Sequence, residues 1–226
     1  MAKAPVPGLV KTRLCPPATP DQAAALAQAC LADTLAMVAM TPARWRAVAL
    51  DGDPGPWLGT GIDVIVQRGR GLAERLAAAF TDAEARYGTG PAMAIGADTP
   101  QLTPAALQKA SVALSAPGTD AVIGPATDGG YWVIGLQRPD PRVFEGVPMS
   151  HRNTLAVQLH RLVDLGLRTT ELATYRDVDT IEDAWAVAAE APTSLFAACL
   201  TTMKFPPDQS TYQKLDGGQP FEMNSR

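Results

Sequence analysis

The stretch AMAIGADTPQLTPAALQKASVAL, Ala92 to Leu114, decides the fold. It opens on a continuous apolar run, Ala92–Ala97, bounded by turn residues, as a buried strand is. It closes on a helix begun by Thr103-Pro104, a capping residue followed by a proline that fits the first helical turn. Between the two stands Asp98, with Thr99 and Pro100 behind it. An apolar strand that leads through a short polar loop into a helix is half of a β-α-β unit. Repetition of that unit builds a parallel sheet covered by helices.

The unit does repeat on either side. Thr19-Pro20-Asp21 introduces an Ala/Leu-rich helix over Asp21–Met40. Trp45–Leu50 and Ile62–Gln67 read as strands, and a second helix runs from Leu72 to Tyr87. Beyond the opening stretch, Ala121–Gly124 and Tyr131–Leu136 read as strands around Thr127-Asp128-Gly129-Gly130. A helix over Asn153–Leu165, a strand over Arg168–Leu172 and a helix over Thr180–Glu190 follow. The expected fold is therefore α/β, one domain over residues 1–200 with a mostly parallel sheet covered on both faces. From Thr201 the chain turns polar and aperiodic, and 201–226 is expected to be a surface-lying or disordered tail.

Bulk properties narrow the function. The chain of 226 residues carries 19 Lys and Arg against 23 Asp and Glu, a net charge of −4. An acidic balance argues against a nucleic-acid partner, which needs a basic surface. Three cysteines, Cys15, Cys30 and Cys199, have no zinc-ligand spacing, and two histidines make a His-rich metal site unexpected. No apolar run reaches the roughly 18 residues of a membrane span, and Met1–Leu14 lacks the apolar core of a signal peptide. A cytoplasmic protein without a membrane partner is expected.

Four polar clusters fall where β-α loops converge, the usual ligand edge of an open α/β sheet. The first is MAKAPVPGLVKTRLCPP, Met1–Pro17. Pro5, Pro7 and Gly8 stiffen and tighten the loop, while Lys3, Lys11 and Arg13 supply charge and Thr12 a hydroxyl, a set suited to phosphate. The Gly-x4-Gly-Lys spacing of a P-loop is absent. The second is Asp98, placed at a strand end where a carboxylate can hold Mg²⁺. The third is Thr127–Gly130, either a tight hairpin turn or a place where Gly129 and Gly130 admit a substrate beside Asp128.

The fourth is Asp177-Val178-Asp179-Thr180. Asp179 either caps the following helix, with Glu182 completing a capping box, or faces the same site as Asp98. Only one of Asp177 and Asp179 is expected to face that site. A weaker fifth cluster is Arg68-Gly69-Arg70-Gly71, at the start of a helix whose amides favour anions. Arg70 or Arg75 could then reach a phosphate.

Together AKAPVPGLVKTRL, GADTP, GPATDGGYWVIGL and DVDTIED resemble, in order and spacing, a family of bacterial transferases labelled glycosyltransferase, radical-SAM/selenodomain-associated transferase 1. That family lies in the nucleotide-diphospho-sugar transferase superfamily, and the resemblance covers Met1 to Ala198. It implies a Rossmann-like GT-A domain that binds a nucleotide and a divalent metal, Mg²⁺ or Mn²⁺. KTRL, DGG and DVDT also resemble phospholactate guanylyltransferase. By position, Lys11 and Arg13, helped by Lys3, would hold the phosphates; Asp98 and Asp179 would hold the metal; Gly129 and Gly130 would line an acceptor pocket.

The chain departs from that pattern at Leu9, where a basic residue is common, and at Met149-Ser150-His151. It also opens inside the first motif, so the preceding apolar strand lies upstream or another segment fills its place. The expected reaction is nucleotidyl transfer from an NTP to a small-molecule acceptor with release of pyrophosphate, Lys11, Arg13 and Asp98 carrying the chemistry. Glycosyl transfer from an NDP-sugar is the alternative, and a catalytically silent nucleotide binder is a third.

Overall fold

The computed structural model describes residues 1–205. In chain order it contains β1 (Ala2–Lys3), α1 (Pro20–Met40), β2 (Ala47–Asp51), β3 (Asp63–Val66), α2 (Leu72–Tyr87), β4 (Ala92–Ile95), α3 (Pro104–Ser115), β5 (Ala121–Pro125) and β6 (Tyr131–Leu136). Then follow α4 (Thr154–Asp164), β7 (Thr169–Glu171), α5 (Ile181–Glu190) and α6 (Leu195–Thr202). One sheet is wholly parallel, in the order β1-β2-β3; the other has the order β4-β6-β5-β7. In the second sheet β6 runs antiparallel to both β4 and β5, while β7 joins β5 in parallel. The antiparallel member arises because Thr127–Gly130 is a hairpin turn, closed by the Ala126 amide on the Gly130 carbonyl at 3.0 Å.

The place of a first strand is taken by Ala2 and Lys3, paired with Leu50 and Asp51 of β2. The amine of Met1 donates to the Ile95 carbonyl at 2.9 Å, which ties this sheet to β4. The ends of β1 and β4, with the loops that follow them, are thereby brought to one edge.

Side chains that alternate along β6 serve opposite faces, as strand geometry requires. Ile134 and Leu136 pack with Leu76 and Phe80 of α2 and Leu162 of α4. Val133 packs the other way, with Met37 of α1 and Leu107 of α3. Helices therefore cover both faces. Thr19 and Gln22 form a reciprocal capping box at the start of α1, as Thr180 and Asp183 do at the start of α5.

Alanine and leucine make α1 long and apolar enough, by length and composition, to cross a membrane. This corrects the sequence-based expectation that no segment qualifies. Half of that stretch is buried inside the fold, where Leu26 and Cys30 meet Val187 of α5 and Phe196 and Leu200 of α6.

Helix α6 is absent from the sequence reading. Its eight residues, LFAACLTT, are apolar or neutral on every side and show no period. What fixes it is distant: both oxygens of Asp33 accept from its first amides, Leu195 at 3.0 Å and Phe196 at 2.8 Å. The expected tail boundary at 201 falls inside this helix, and Met203 and Phe205 still pack against the core. The rest of the expected tail, 206–226, lies outside the described residues.

Candidate functional site

The loop after β1 turns on itself at once. The Val6 amide bonds the Ala4 carbonyl at 2.8 Å and the Leu9 amide bonds Val6 at 3.0 Å, with Gly8 in a left-handed conformation. Lys11 is also left-handed, at φ 48°, a region that few residues with a side chain enter. A single helical turn, Thr12–Leu14, follows and is anchored by the fully buried Leu14.

This path sends Lys11 inward. Its Nζ lies 3.2 Å from Asp98 Oδ2 and 4.0 Å from Asp179 Oδ1, and donates a short hydrogen bond to the Val178 carbonyl. Arg13 meets Asp179 Oδ2 at 3.0 Å but stays largely in solvent. The Asp177-Val178-Asp179 segment is laced to the end of β4, the Val178 amide donating to the Asp98 carbonyl at 3.0 Å. Gly96 makes the close approach possible, because a Cβ there would stand 2.8 Å from Asp98 Oδ1.

Thr103, not Asp98, caps α3, accepting from the Ala106 amide. Thr180, not Asp179, caps α5, with Asp183 in place of the expected Glu182 as the reciprocal partner. Both candidate acids are thus free of helix capping. They line a cleft of about 330 Å³ with Lys3, Lys11, Thr12 and Arg13, and Leu9, Val10 and Leu31 supply its apolar wall. Three cations against two carboxylates leave the cleft suited to an anion. Lys3 has no ion-pair partner among the described residues. Burial would pull the Lys11 ammonium down, but Asp98, with further help from Asp179, holds it above the ordinary lysine value.

Sequence reasoning named Asp177 only as the alternative to Asp179 and gave it no role. It accepts from Thr99 Oγ1 at 2.9 Å and has no ion-pair partner among the described residues. Burial, then the neighbouring charge of Asp98, pushes its carboxyl up to about 7. Asp128 adds to that repulsion, so Asp98, Asp128 and Asp177 share one electrostatic neighbourhood. The sequence reading placed one acid of the Asp177/Asp179 pair here, but residues two apart on an extended segment share a side, and both reach this edge of the sheet.

Other expected site residues sit elsewhere. Pro7 and Gly8 shape the turn that delivers Leu9 to the cleft and do not line it. Gly129 and Gly130 do not line it either; they belong to the hairpin. Gly129 adopts φ 90°, a Cβ on it would fall 2.1 Å from the Arg152 carbonyl oxygen, and its own carbonyl accepts from Leu155 at 2.9 Å. Gly71 starts α2 and lines a separate cavity. Arg75 is taken by Asp51, and Arg68 grips Asp82 with two bonds.

The donors available to a metal are carboxylate oxygens at a strand end, which suits a hard cation such as Mg²⁺ that needs few protein ligands and keeps water or phosphate oxygens for the rest. Among the described residues no three His, Cys, Asp or Glu side chains are grouped to hold an ion by themselves. Asp98 and Asp179 are the carboxylates such a site would use, and the Lys11 ammonium, which stands between them, already neutralises both.

The comparisons with known proteins match the fold. The chain belongs to the family described as uncharacterized protein conserved in bacteria (DUF2064), which residues 22–151 match. It is similar to a proposed nucleotide-diphospho-sugar transferase from Desulfovibrio desulfuricans G20, with 29% identity and a TM-score of 0.79 over 88% of this chain and 91% of that one. The fold alone is shared with the Mycobacterium tuberculosis rv0371c homolog from Mycobacterium sp. strain JC1, at 19% identity and a TM-score of 0.50 over 84% and 95% of the two chains. No curated protein matches the sequence.

Proposed function

We propose that the protein binds the phosphates of a nucleotide in the Lys3–Lys11–Arg13 cleft and transfers a nucleotidyl group from an NTP to a small-molecule acceptor. The observation that carries this reading is the convergence of three cations from the N-terminal segment, Lys3 at the end of β1 and Lys11 and Arg13 after the loop, on a single cleft. Lys11 is fixed there by Asp98 and Val178, so its charge is positioned before any ligand arrives. Fixed charge is what stabilises a phosphoryl transition state most economically.

In the proposed step an acceptor oxyanion forms a bond to the α-phosphorus. The bond from that phosphorus to pyrophosphate breaks, and its electron pair leaves on pyrophosphate. An oxyanion brings no proton that must be removed. Lys11 and Arg13 face the charge that grows on the leaving group, while Lys3 is free to hold the remaining phosphate oxygens. Asp98 and Asp179 would hold Mg²⁺ or Mn²⁺, and the ion would supply charge neutralisation at the phosphates.

Glycosyl transfer from an NDP-sugar is the second reading, favoured by the likeness to the proposed nucleotide-diphospho-sugar transferase. It would use the same phosphate cleft with a nucleoside diphosphate as leaving group.

The test is isothermal titration of NTPs and NDP-sugars with Mg²⁺ or with EDTA, followed by analysis of products. Metal-dependent NTP binding that falls at least tenfold in Lys11→Ala, with pyrophosphate released in turnover, is expected. Release of a nucleoside diphosphate would move the assignment to the second reading. Unchanged NTP affinity in Lys11→Ala would refute the cleft itself.

A further inference from the structure

Three oxygens from distant parts of the chain close on one nitrogen. Asp98 Oδ2 stands 3.2 Å from the Lys11 ammonium, Asp179 Oδ1 stands 4.0 Å from it, and the Val178 carbonyl accepts its short hydrogen bond. Carboxylates with a backbone carbonyl are the donor set of a hard divalent ion, which completes its shell with water or phosphate oxygens. They are equally the acceptors that an ammonium needs. The same seat suits either cation, and in this structure Lys11 fills it.

The two cations cannot share it. An ammonium this close to all three oxygens stands where the ion would sit, and like charges at such a separation repel strongly away from bulk water. The Lys11 side chain is only 13% exposed, so solvent screens that repulsion little. Arg13 holds the other oxygen of Asp179 at 3.0 Å. Among the residues lining the cleft, Lys3, Lys11 and Arg13 outnumber Asp98 and Asp179, so the lining has no net negative charge to draw a divalent ion.

What empties the seat enters by the same cleft. Lys11 and Arg13 both line it, and a lysine ammonium rides on a flexible four-carbon stem. A polyphosphate there gives both side chains a denser anionic partner. Turning toward it frees the three oxygens while the lysine charge stays in the cleft.

We propose that Lys11 is the resident cation of a seat formed by Asp98, Asp179 and the Val178 carbonyl, and that a divalent ion enters this seat only together with a polyphosphate that draws the ammonium off. The role of the polyphosphate rests on the reading of the cleft as a phosphate site, whereas the exclusion of the ion rests on the pairing of Lys11 alone. Ion and polyphosphate then strengthen each other's binding by the same factor.

The experiment is titration of the whole protein with Mn²⁺, read by water-proton relaxation, which rises when the ion is held on a slowly tumbling macromolecule. It is run with Mn²⁺ alone and with Mn²⁺ plus inorganic tripolyphosphate, which carries phosphates without a base. With Mn²⁺ alone the parent should match buffer. Tripolyphosphate should raise the relaxation above that of the same mixture without protein. Lys11→Met should bind Mn²⁺ alone at least tenfold more tightly than the parent, and Lys11→Met/Asp98→Asn should lose that gain. Lys11→Gln keeps a donor for the Val178 carbonyl and serves the same test where Lys11→Met does not fold.

Equal Mn²⁺ affinity in the parent and the Lys11 variants without tripolyphosphate would overturn the proposal, the ion then being held at another acid such as Asp177. A gain in the Lys11 variants with no response of the parent to tripolyphosphate would keep Lys11 as the resident cation and overturn the polyphosphate step, together with the phosphate reading of the cleft.

Discussion

Asp177 offers the sharpest test of the site's electrostatics. An acid whose carboxyl titrates higher in the folded protein than in the unfolded chain binds its proton more tightly when folded. It is therefore neutral to stability below the unfolded value and destabilising above the folded one. For Asp177 the two ends of that window are 3.8 and about 7. At about 1.36 kcal/mol per pH unit the gap corresponds to a ceiling of about 4 kcal/mol. Water reaching this partly exposed carboxylate screens the charge, and about 2 kcal/mol is the expected effect.

Asp177→Asn removes the charge and keeps an oxygen for the Thr99 hydroxyl. Urea unfolding of parent and variant in EDTA, from pH 4 to pH 8, reads the difference. The variant should be about 2 kcal/mol more stable at pH 8, with the gain fading as pH falls from 7 toward 4. A variant less stable than the parent at pH 8, or a difference that ignores pH, would refute the argument that Asp177 is an uncompensated carboxylate.

Other substitutions separate stability from binding. Lys11→Met leaves Asp98 without its cation and the Val178 carbonyl without its donor; urea unfolding should show a loss of about 2 kcal/mol, partly recovered in Lys11→Met/Asp98→Asn, because an unpaired buried partner costs more than the pair contributes. Arg13→Ala removes a solvent-exposed ion pair and should cost less than about 1 kcal/mol while weakening NTP binding in calorimetry. Gly129→Ala forces a side chain into the Arg152 carbonyl at a left-handed backbone position; a loss of about 3 kcal/mol, read as a lowered thermal midpoint, is expected.

The fold was legible wherever local signals agreed with the tertiary outcome. At Thr103-Pro104 the cap, the proline and the apolar spacing all point to α3, and the helix starts there. The two turn glycines after Asp128 gave two local readings, and long-range packing chose between them: β6 turns back because both its edges are claimed, by β4 and β5. Helix α6 had no readable period, and besides its Ser194 cap its first amides are held by Asp33, more than 160 residues away in the chain.

The site was legible as a list of residues and illegible as a set of pairings. Lys11, Arg13, Asp98 and Asp179 can be picked out by residue type and by position at strand ends. Which cation neutralises which acid depends on Lys11 being left-handed and on Val178 docking under Asp98. Those two local facts give Asp179 two ion-pair partners and leave Asp177, two residues earlier, with none among the described residues, Lys11 reaching it only through its longer-range charge. Counting alternation along an extended segment could not separate them, because residues two apart share a side and differ here only in what has come to meet them. The uneven sharing of charge matters for the chemistry proposed here. In the proposed chemistry, a phosphate that drew Arg13 away would leave Asp179 with Lys11 alone, and that carboxylate is one of the two proposed to hold the metal.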